Sequence, residues 1–294
     1  MRDLSNCVAV ITGAGSGIGQ ALAYALAERN AGLAISDINP DALERTAKQL
    51  SQSGINLHTR VLDVSNREAM FAYAESVAKH FDEINLVINN AGAGLASGLF
   101  RDTTLDEFEW LMSVNFSGVL YGCKAFLPLL EKSSWGHIVN LSSLFGLIGV
   151  AEQSAYNSSK FAVRGLTEAL RNEFELINST VSATSVHPGG VKTNIARNTR
   201  PGELLDDAAK AAIETRGDDF EKVAKTTAES AARQILTAVE KNKRRLLIGV
   251  DAKLMDRIQR FFPNHYNNFF VWIAKMIAGK DGIFQTQANV DQSK

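Results

Sequence analysis

The sequence is poor in cysteine. Its 294 residues hold two, Cys7 and Cys123. One opens an apolar strand and the other lies in a helix-like segment, so both read as buried free thiols rather than a disulfide or metal pair. The five histidines (His58, His80, His137, His187, His265) are scattered, without His-x-x-x-His or Cys-x-x-Cys spacing, and no metal site is read. Neither charge dominates. With 31 basic and 32 acidic residues the net charge is −1, which gives no electrostatic reason to expect nucleic acid. No apolar run approaches the ~20 residues needed to cross a bilayer. "MRDLSN" runs straight into the apolar "CVAVI" with no room for a signal peptide, so a cytoplasmic location is expected.

What is present is an ordinary globular composition, 45% hydrophobic and 21% charged. Short β-branched runs at 7–11, 32–36, 57–62, 85–89, 137–141, 181–187 and 245–249 alternate with helix-period segments near 17–29, 40–52, 66–80, 104–131, 155–177 and 226–241. Strands apolar on both faces, alternating with helices, imply an α/β fold: a Rossmann-like doubly wound parallel sheet of about seven strands with helices on both faces. Residues 194–222 break the rhythm and read as a loop or helical insertion of the lid type. Ligands of such a sheet bind beyond the carboxyl ends of the strands, where strand order reverses. The residues following each strand are therefore the ones to inspect.

After the first strand comes "TGAGSGIG". It fits Thr12-Gly13-x-x-x-Gly17-x-Gly19 rather than Gly-x-Gly-x-x-Gly. Glycines permit a tight turn and close backbone approach, and the helix that follows offers free N–H groups to a pyrophosphate. Gly13, Ser16, Gly17, Ile18 and Gly19 are the candidate cradle; a plain Gly-rich turn is the bland reading. Asp37 ends the second strand, close to the ~20-residue spacing at which an acid receives a ribose hydroxyl. A carboxylate there repels a 2′-phosphate, and neither Ser16 nor Ile38 supplies a cation, which favours NAD over NADP. Asp37 could instead cap the helix begun by "SDINPDA", although Asp41 serves that purpose as well or better.

In "SAYNSSKFAV" Tyr156 and Lys160 are one helical turn apart. Alone, the pair could be an unimportant surface contact or an acid whose proton has been loosened.

Together with "DV" at 63–64, "NNAG" at 89–92, Asn115 in "SVNFSG", "LSS" at 141–143 and "HPGGVKT" at 187–193, these motifs resemble the short-chain dehydrogenase/reductases, in their larger single-domain branch. The resemblance covers about Cys7 to Gly249. It implies a catalytic set of Asn115, Ser143, Tyr156 and Lys160, with Ser143 preferred over Ser142 by its spacing from the tyrosine. It further implies that Asp63 and Val64 flank an adenine, that Asn90, Ala91 and Gly92 lie under the cofactor, and that Pro188, Gly189, Val191 and Thr193 meet the nicotinamide end. His187 reads as structural.

The expected chemistry is hydride transfer between NAD and an alcohol or ketone. A free tyrosine has a pKa of about 10, and an adjacent ammonium together with the oxidised nicotinamide should lower it. Ser143 would hold the substrate oxygen, and Asn115 would anchor a water that relays the proton. Leu144, Phe145, Leu147 and Ile148 read either as an apolar pocket wall for a hydrophobic alcohol, secondary, long-chain or steroid-like, or as core packing. The alternative is a non-catalytic dinucleotide-binding regulatory or interaction protein. A homodimer or homotetramer is expected.

Residues 1–250 then form an NAD-binding catalytic domain and 251–294 a C-terminal amphipathic extension. Basic residues between Lys241 and Arg260 precede aromatics between Phe261 and Trp272. Leu254, Ile258 and Phe261 share one helical face, and Phe269, Trp272 and Met276 another. The extension either docks on its own domain or a partner subunit, or makes peripheral membrane contact through 251–278.

Overall fold

The computed structural model describes residues 2–193, 195, 198–207, 210, 224–268 and 271. Seven strands, β1 (Val8–Thr12), β2 (Gly32–Asp37), β3 (Leu57–Val61), β4 (Leu86–Asn89), β5 (Gly136–Leu141), β6 (Val181–Pro188) and β7 (Arg245–Ile248), form one sheet. Their spatial order is β7-β6-β5-β4-β1-β2-β3, with every pair parallel. Between them run α1 (Gly17–Ala27), α2 (Pro40–Ser51), α3 (Arg67–His80), α4 (Leu105–Met112), α5 (Gly118–Leu130), α6 (Ser154–Leu176) and α7 (Ala228–Glu240), and α8 (Val250–Phe261) follows β7.

Side chains of a strand alternate between faces, and here both faces are buried. Ala9 and Ile11 of β1 join Ile88 and Val139 in a core closed by Leu22 and Leu26 of α1 and by Ile235, Leu236 and Val239 of α7. Val10 points the other way, joining Val87 and Ile138 beneath Tyr73 of α3, Phe126 of α5 and Val163 of α6. The continuous apolar runs follow from this double burial. Ile11 and Ile88 are fully buried, and truncating either to alanine should cost about 2–5 kcal/mol.

Strand order reverses between β1 and β4, which opens a crevice at their carboxyl ends. The segment expected as one helix over 104–131 is interrupted. Thr104 caps α4 in a reciprocal pair with Glu107, and a π-helical turn, Ser113–Ser117, separates α4 from α5. The extra residue in that turn re-aims the local side chains, and Asn115 sits in it, fully buried. Among the described residues no helix is long and apolar enough to cross a membrane.

In the extension, α8 meets β7 and the loop after β5. Phe261 and Phe262, expected to pack on the domain or a neighbour, are 78% and 59% exposed in the single chain. Phe269, Trp272 and Met276 lie outside the described residues.

Candidate active site

The crevice is built first from glycines. Gly13 and Gly17 have φ of +66° and +55°, a region that side chains other than glycine's rarely adopt. A Cβ on Gly19 would lie 2.2 Å from the Gly13 carbonyl oxygen, so the start of α1 packs tightly under the turn. Ser16 is the N-cap of α1 but its side chain makes no capping bond, and the first turn carries no acidic residue. The N–H groups at that end therefore face outward without a competing carboxylate. Ile18 packs against the core beneath them, and the Thr193 side chain lies against Gly17. The turn is tied to the next motif: the Thr12 hydroxyl accepts from the N–H groups of Asn90 and Ala91, both at 3.1 Å, and the Asn90 amide donates to the Thr12 and Gly13 carbonyls.

Asp37 emerges from β2 beside this turn. Its Oδ2 accepts from the Gly15 N–H at 2.8 Å and its Oδ1 from the Asn39 N–H at 2.9 Å. It does not cap α2, and neither does Asp41. Asn39 does so, accepting from the Ala42 N–H, and Pro40 follows at the first helical position, where its missing donor costs nothing. Ile38 is 65% exposed, with no cation in its place. Asp63 is exposed and holds Ser65 in a local turn, whereas Val64 is buried against Gly118. Glycines that a Cβ would fill, a helix end without an acid, and a carboxylate at the strand exit together fit a dinucleotide.

Ser143, Tyr156 and Lys160 converge next to it. The two adjoining serines have separate fates. The Ser142 hydroxyl is buried and donates to the Lys160 carbonyl, while that of Ser143 faces the Tyr156 phenol. Lys160 is buried. Its Nζ donates to the Leu141 carbonyl at 3.1 Å and lies 5.6 Å above the Tyr156 ring centroid. Asn115 exchanges two hydrogen bonds with the backbone of Ala93 and donates to the Ser159 hydroxyl. Gly92 completes the group: a Cβ there would lie 3.1 Å from Asn115 Oδ1 and 3.3 Å from Lys160 Nζ.

The electrostatics depart from expectation. Burial raises the Tyr156 phenol above its usual pKa, with the Ser143 hydroxyl opposing. In the chain by itself burial outweighs any lowering by Lys160, and the second charge in the expectation, that of the oxidised nicotinamide, belongs to the bound cofactor. Burial also lowers Lys160 itself to about 8.

A family model described as short chain dehydrogenase matches residues 7–204. The chain belongs to that family. It is an oxidoreductase on a dinucleotide-binding fold. A curated relative from Mycobacterium tuberculosis, putative oxidoreductase SadH, is 42% identical over 280 residues, covering 92% of this chain and 99% of the relative. A crystal structure of a short chain dehydrogenase/reductase from Burkholderia phymatum in complex with NAD superposes with a TM-score of 0.82 at 30% identity, covering 89% of this chain and 95% of that one. An alcohol dehydrogenase from the archaeon Thermococcus sibiricus, complexed with 5-hydroxy-NADP, gives 0.69 at 27% identity, with coverage of 82% and 95%.

Several partners of the dehydrogenase site carry no sequence signal of their own. Ser159 links Asn115 to the Tyr156 carbonyl. Buried His187 reaches the Ser143 carbonyl through Nδ1 at 3.0 Å, and its Nε2 meets the Ser185 hydroxyl at 2.9 Å. A carbonyl only accepts, so Nδ1 carries the proton. Among the described residues the extension contributes twice. Asp251 accepts from the Gly190 N–H at 2.6 Å, in space left by Gly189 and Gly249, and the Tyr266 hydroxyl accepts from the Gly149 N–H at 3.2 Å. The Gly-Gly pair at 189–190 was the one hint in the sequence.

Two segments far apart in the chain also meet. Leu95–Ala96 pairs with Arg200–Pro201, joining the 94–98 loop to the insertion. Leu147 and Ile148 are buried. Leu144 and Phe145 remain partly exposed, with the Phe145 ring edge-on to Tyr156 at 6.0 Å.

Proposed function

We propose that the protein interconverts a hydrophobic secondary alcohol and its ketone, with Tyr156 as acid/base. The observation that carries this reading is the convergence of Ser143, Tyr156 and Lys160 beside the Gly13–Gly19 turn. NAD is the cofactor. Gly13, Ser16, Gly17, Ile18 and Gly19 would receive its pyrophosphate end, Asp37 the adenosine ribose, and Asp63 and Val64 the adenine. Asn90, Ala91 and Gly92 would underlie it, and Pro188, Gly189, Val191 and Thr193 would meet the carboxamide. Bound there, it would supply the hydride acceptor and a positive charge.

The chain's own groups handle the proton and the oxygen. The Ser143 hydroxyl would hold the substrate oxygen as charge develops on it. Tyr156 would take the hydroxyl proton, and the Lys160 ammonium, over its ring, would favour the phenolate. Asn115, held by Ala93 and Ser159, would fix the water that passes the proton on. Leu144 and Phe145 form an apolar wall, which supports a lipophilic rather than a charged substrate. Residues 1–250 act as the catalytic unit and 251–294 as an extension attached through Asp251 and Tyr266. The working assembly is a homodimer or homotetramer.

The test is absorbance at the NADH band with a panel of secondary, long-chain and steroid-like alcohols. Tyr156→Phe should abolish turnover and leave NAD binding nearly intact, while Lys160→Ala should lose activity and also weaken NAD binding. A Tyr156→Phe enzyme that kept most of its rate would refute the acid/base role.

A further inference from the structure

An amphipathic helix ordinarily turns its apolar stripe toward its own protein. Helix α8 keeps Ala252 buried and Met255 and Ile258 half-buried but leaves much of its apolar side outside. Its buried residues are Ala252 and Asp256, and Asp256 is held by Arg245 of β7 at 2.6 Å and by Arg260 at 2.9 Å. At about 3.6 residues per turn, Val250, Leu254 and Phe261 fall on the opposite side, with exposures of 80%, 49% and 78%. The helix's two acids are both engaged with the domain, since the Asp251 carboxylate binds the Gly190 N–H. Its cations, Lys253, Arg257 and Arg260, are exposed. The outward side is therefore apolar and cationic.

A second observation lies beside the first. A groove of about 400 Å³ beside α7, β7 and α8 is lined by Arg233, Lys243 and Lys253, together with Arg245, whose charge is met by Asp256. Lys253 belongs to both features, so the cationic groove and the helix adjoin. We propose that this face of the protein, α8 with the adjoining groove, seats on an anionic lipid surface, with Leu254 and Phe261 entering the headgroup boundary and the cations meeting lipid phosphates. Charge complementarity selects this occupant. In a two-fold contact with a second copy, Lys253 and Arg257 of one α8 would approach those of the other, and among the described residues of the helix no acid is left free to offset them. The contact is peripheral, because α8 is far too short to span. It would also bring the 144–149 loop, tied to the extension by Tyr266, toward the surface. The proposal is independent of the catalytic assignment.

Co-sedimentation of the full chain with phosphatidylglycerol–phosphatidylcholine vesicles, against pure phosphatidylcholine vesicles, tests it. Binding to the anionic vesicles and little to the neutral ones is expected, weakening with added salt. Lys253→Glu with Arg257→Glu should reduce partitioning at least tenfold, from roughly fivefold for each charge removed. Leu254→Ser with Phe261→Ser should release the protein at the same anionic lipid content. Both variants change exposed residues, and both should keep the parent's melting temperature and its rate on a water-soluble alcohol. Failure to pellet with anionic vesicles, or equal pelleting with neutral ones, overturns the proposal. So does a concentration-dependent dimer that light scattering shows to be broken by Leu254→Ser, which would assign the face to a second copy.

Discussion

His187 offers a perturbation whose size can be worked from its surroundings. It is fully buried, donates through Nδ1 to the Ser143 carbonyl and accepts through Nε2 from Ser185. Burial lowers its pKa from 6.5 to about 3; Arg245 and Arg164 push the same way, while the bond to Ser143 and the charge of Asp256 oppose. The folded-state value lies below the unfolded one. Above about pH 6.5 the ring is neutral in both states and stability is whole. As pH falls toward 3 the unfolded chain takes up a proton that the folded chain refuses, and stability is lost. At pH 5 the loss from this residue should be roughly 2 kcal/mol. His187→Asn keeps a donor at the Nδ1 position and has no group that titrates there. Its unfolding free energy, from denaturant titrations between pH 7.5 and 5, should fall less steeply than the parent's by about that amount. His137, also buried and depressed, stays in both proteins, so the difference isolates His187. Turnover gives a second reading. The asparagine variant should stay near the parental rate, whereas His187→Gln, which moves the donor away, leaves the Ser143 carbonyl unpaired and should cost about tenfold or more in kcat with little change in NAD affinity. Equal pH slopes in parent and asparagine variant, or glutamine and asparagine variants of equal rate, would refute the reasoning.

Steady-state kinetics should show a clear preference for NAD over NADP, and Asp37→Ala with Ile38→Arg should narrow or reverse it; equal use of both cofactors by the parent would contradict the role of Asp37. Asp251→Ala frees the Gly190 N–H and should raise the KM for NAD several-fold with kcat nearly kept, and Asp251→Asn, which retains one acceptor, should recover much of the loss. Fluorescence titration of NAD checks both variants, and an unchanged affinity in Asp251→Ala would remove that residue from the nicotinamide side.

The strand and helix rhythm was legible because each strand of this sheet is buried on both faces and each helix on one. Burial of that kind writes its period directly into the order of side chains, and the boundaries read from it fall within a few residues of those in the structure. The cradle was legible for a related reason. The backbone turns at Gly13 and Gly17 need a positive φ, and Gly19 sits where a Cβ would meet the Gly13 carbonyl, so three positions had to be glycine whatever lay around them. Tyr156 and Lys160 were visible as a pair because one helical turn fixes their distance. Other features depended on contacts between segments far apart in the chain. The choice of Ser143 over Ser142 rests in three dimensions on which hydroxyl is taken by the Lys160 carbonyl. The sense of the Tyr156 shift depends on how deeply the phenol is buried, which has no local code. The ties of His187 to Ser143, Asp251 to Gly190 and Tyr266 to Gly149 span 44, 61 and 117 residues. The amphipathic period of α8 was plain in the sequence, but period alone cannot say which side meets the protein. That was decided by the Asp256–Arg245 ion pair, which sets Ala252 and Asp256 against the domain and leaves Val250, Leu254 and Phe261 facing out.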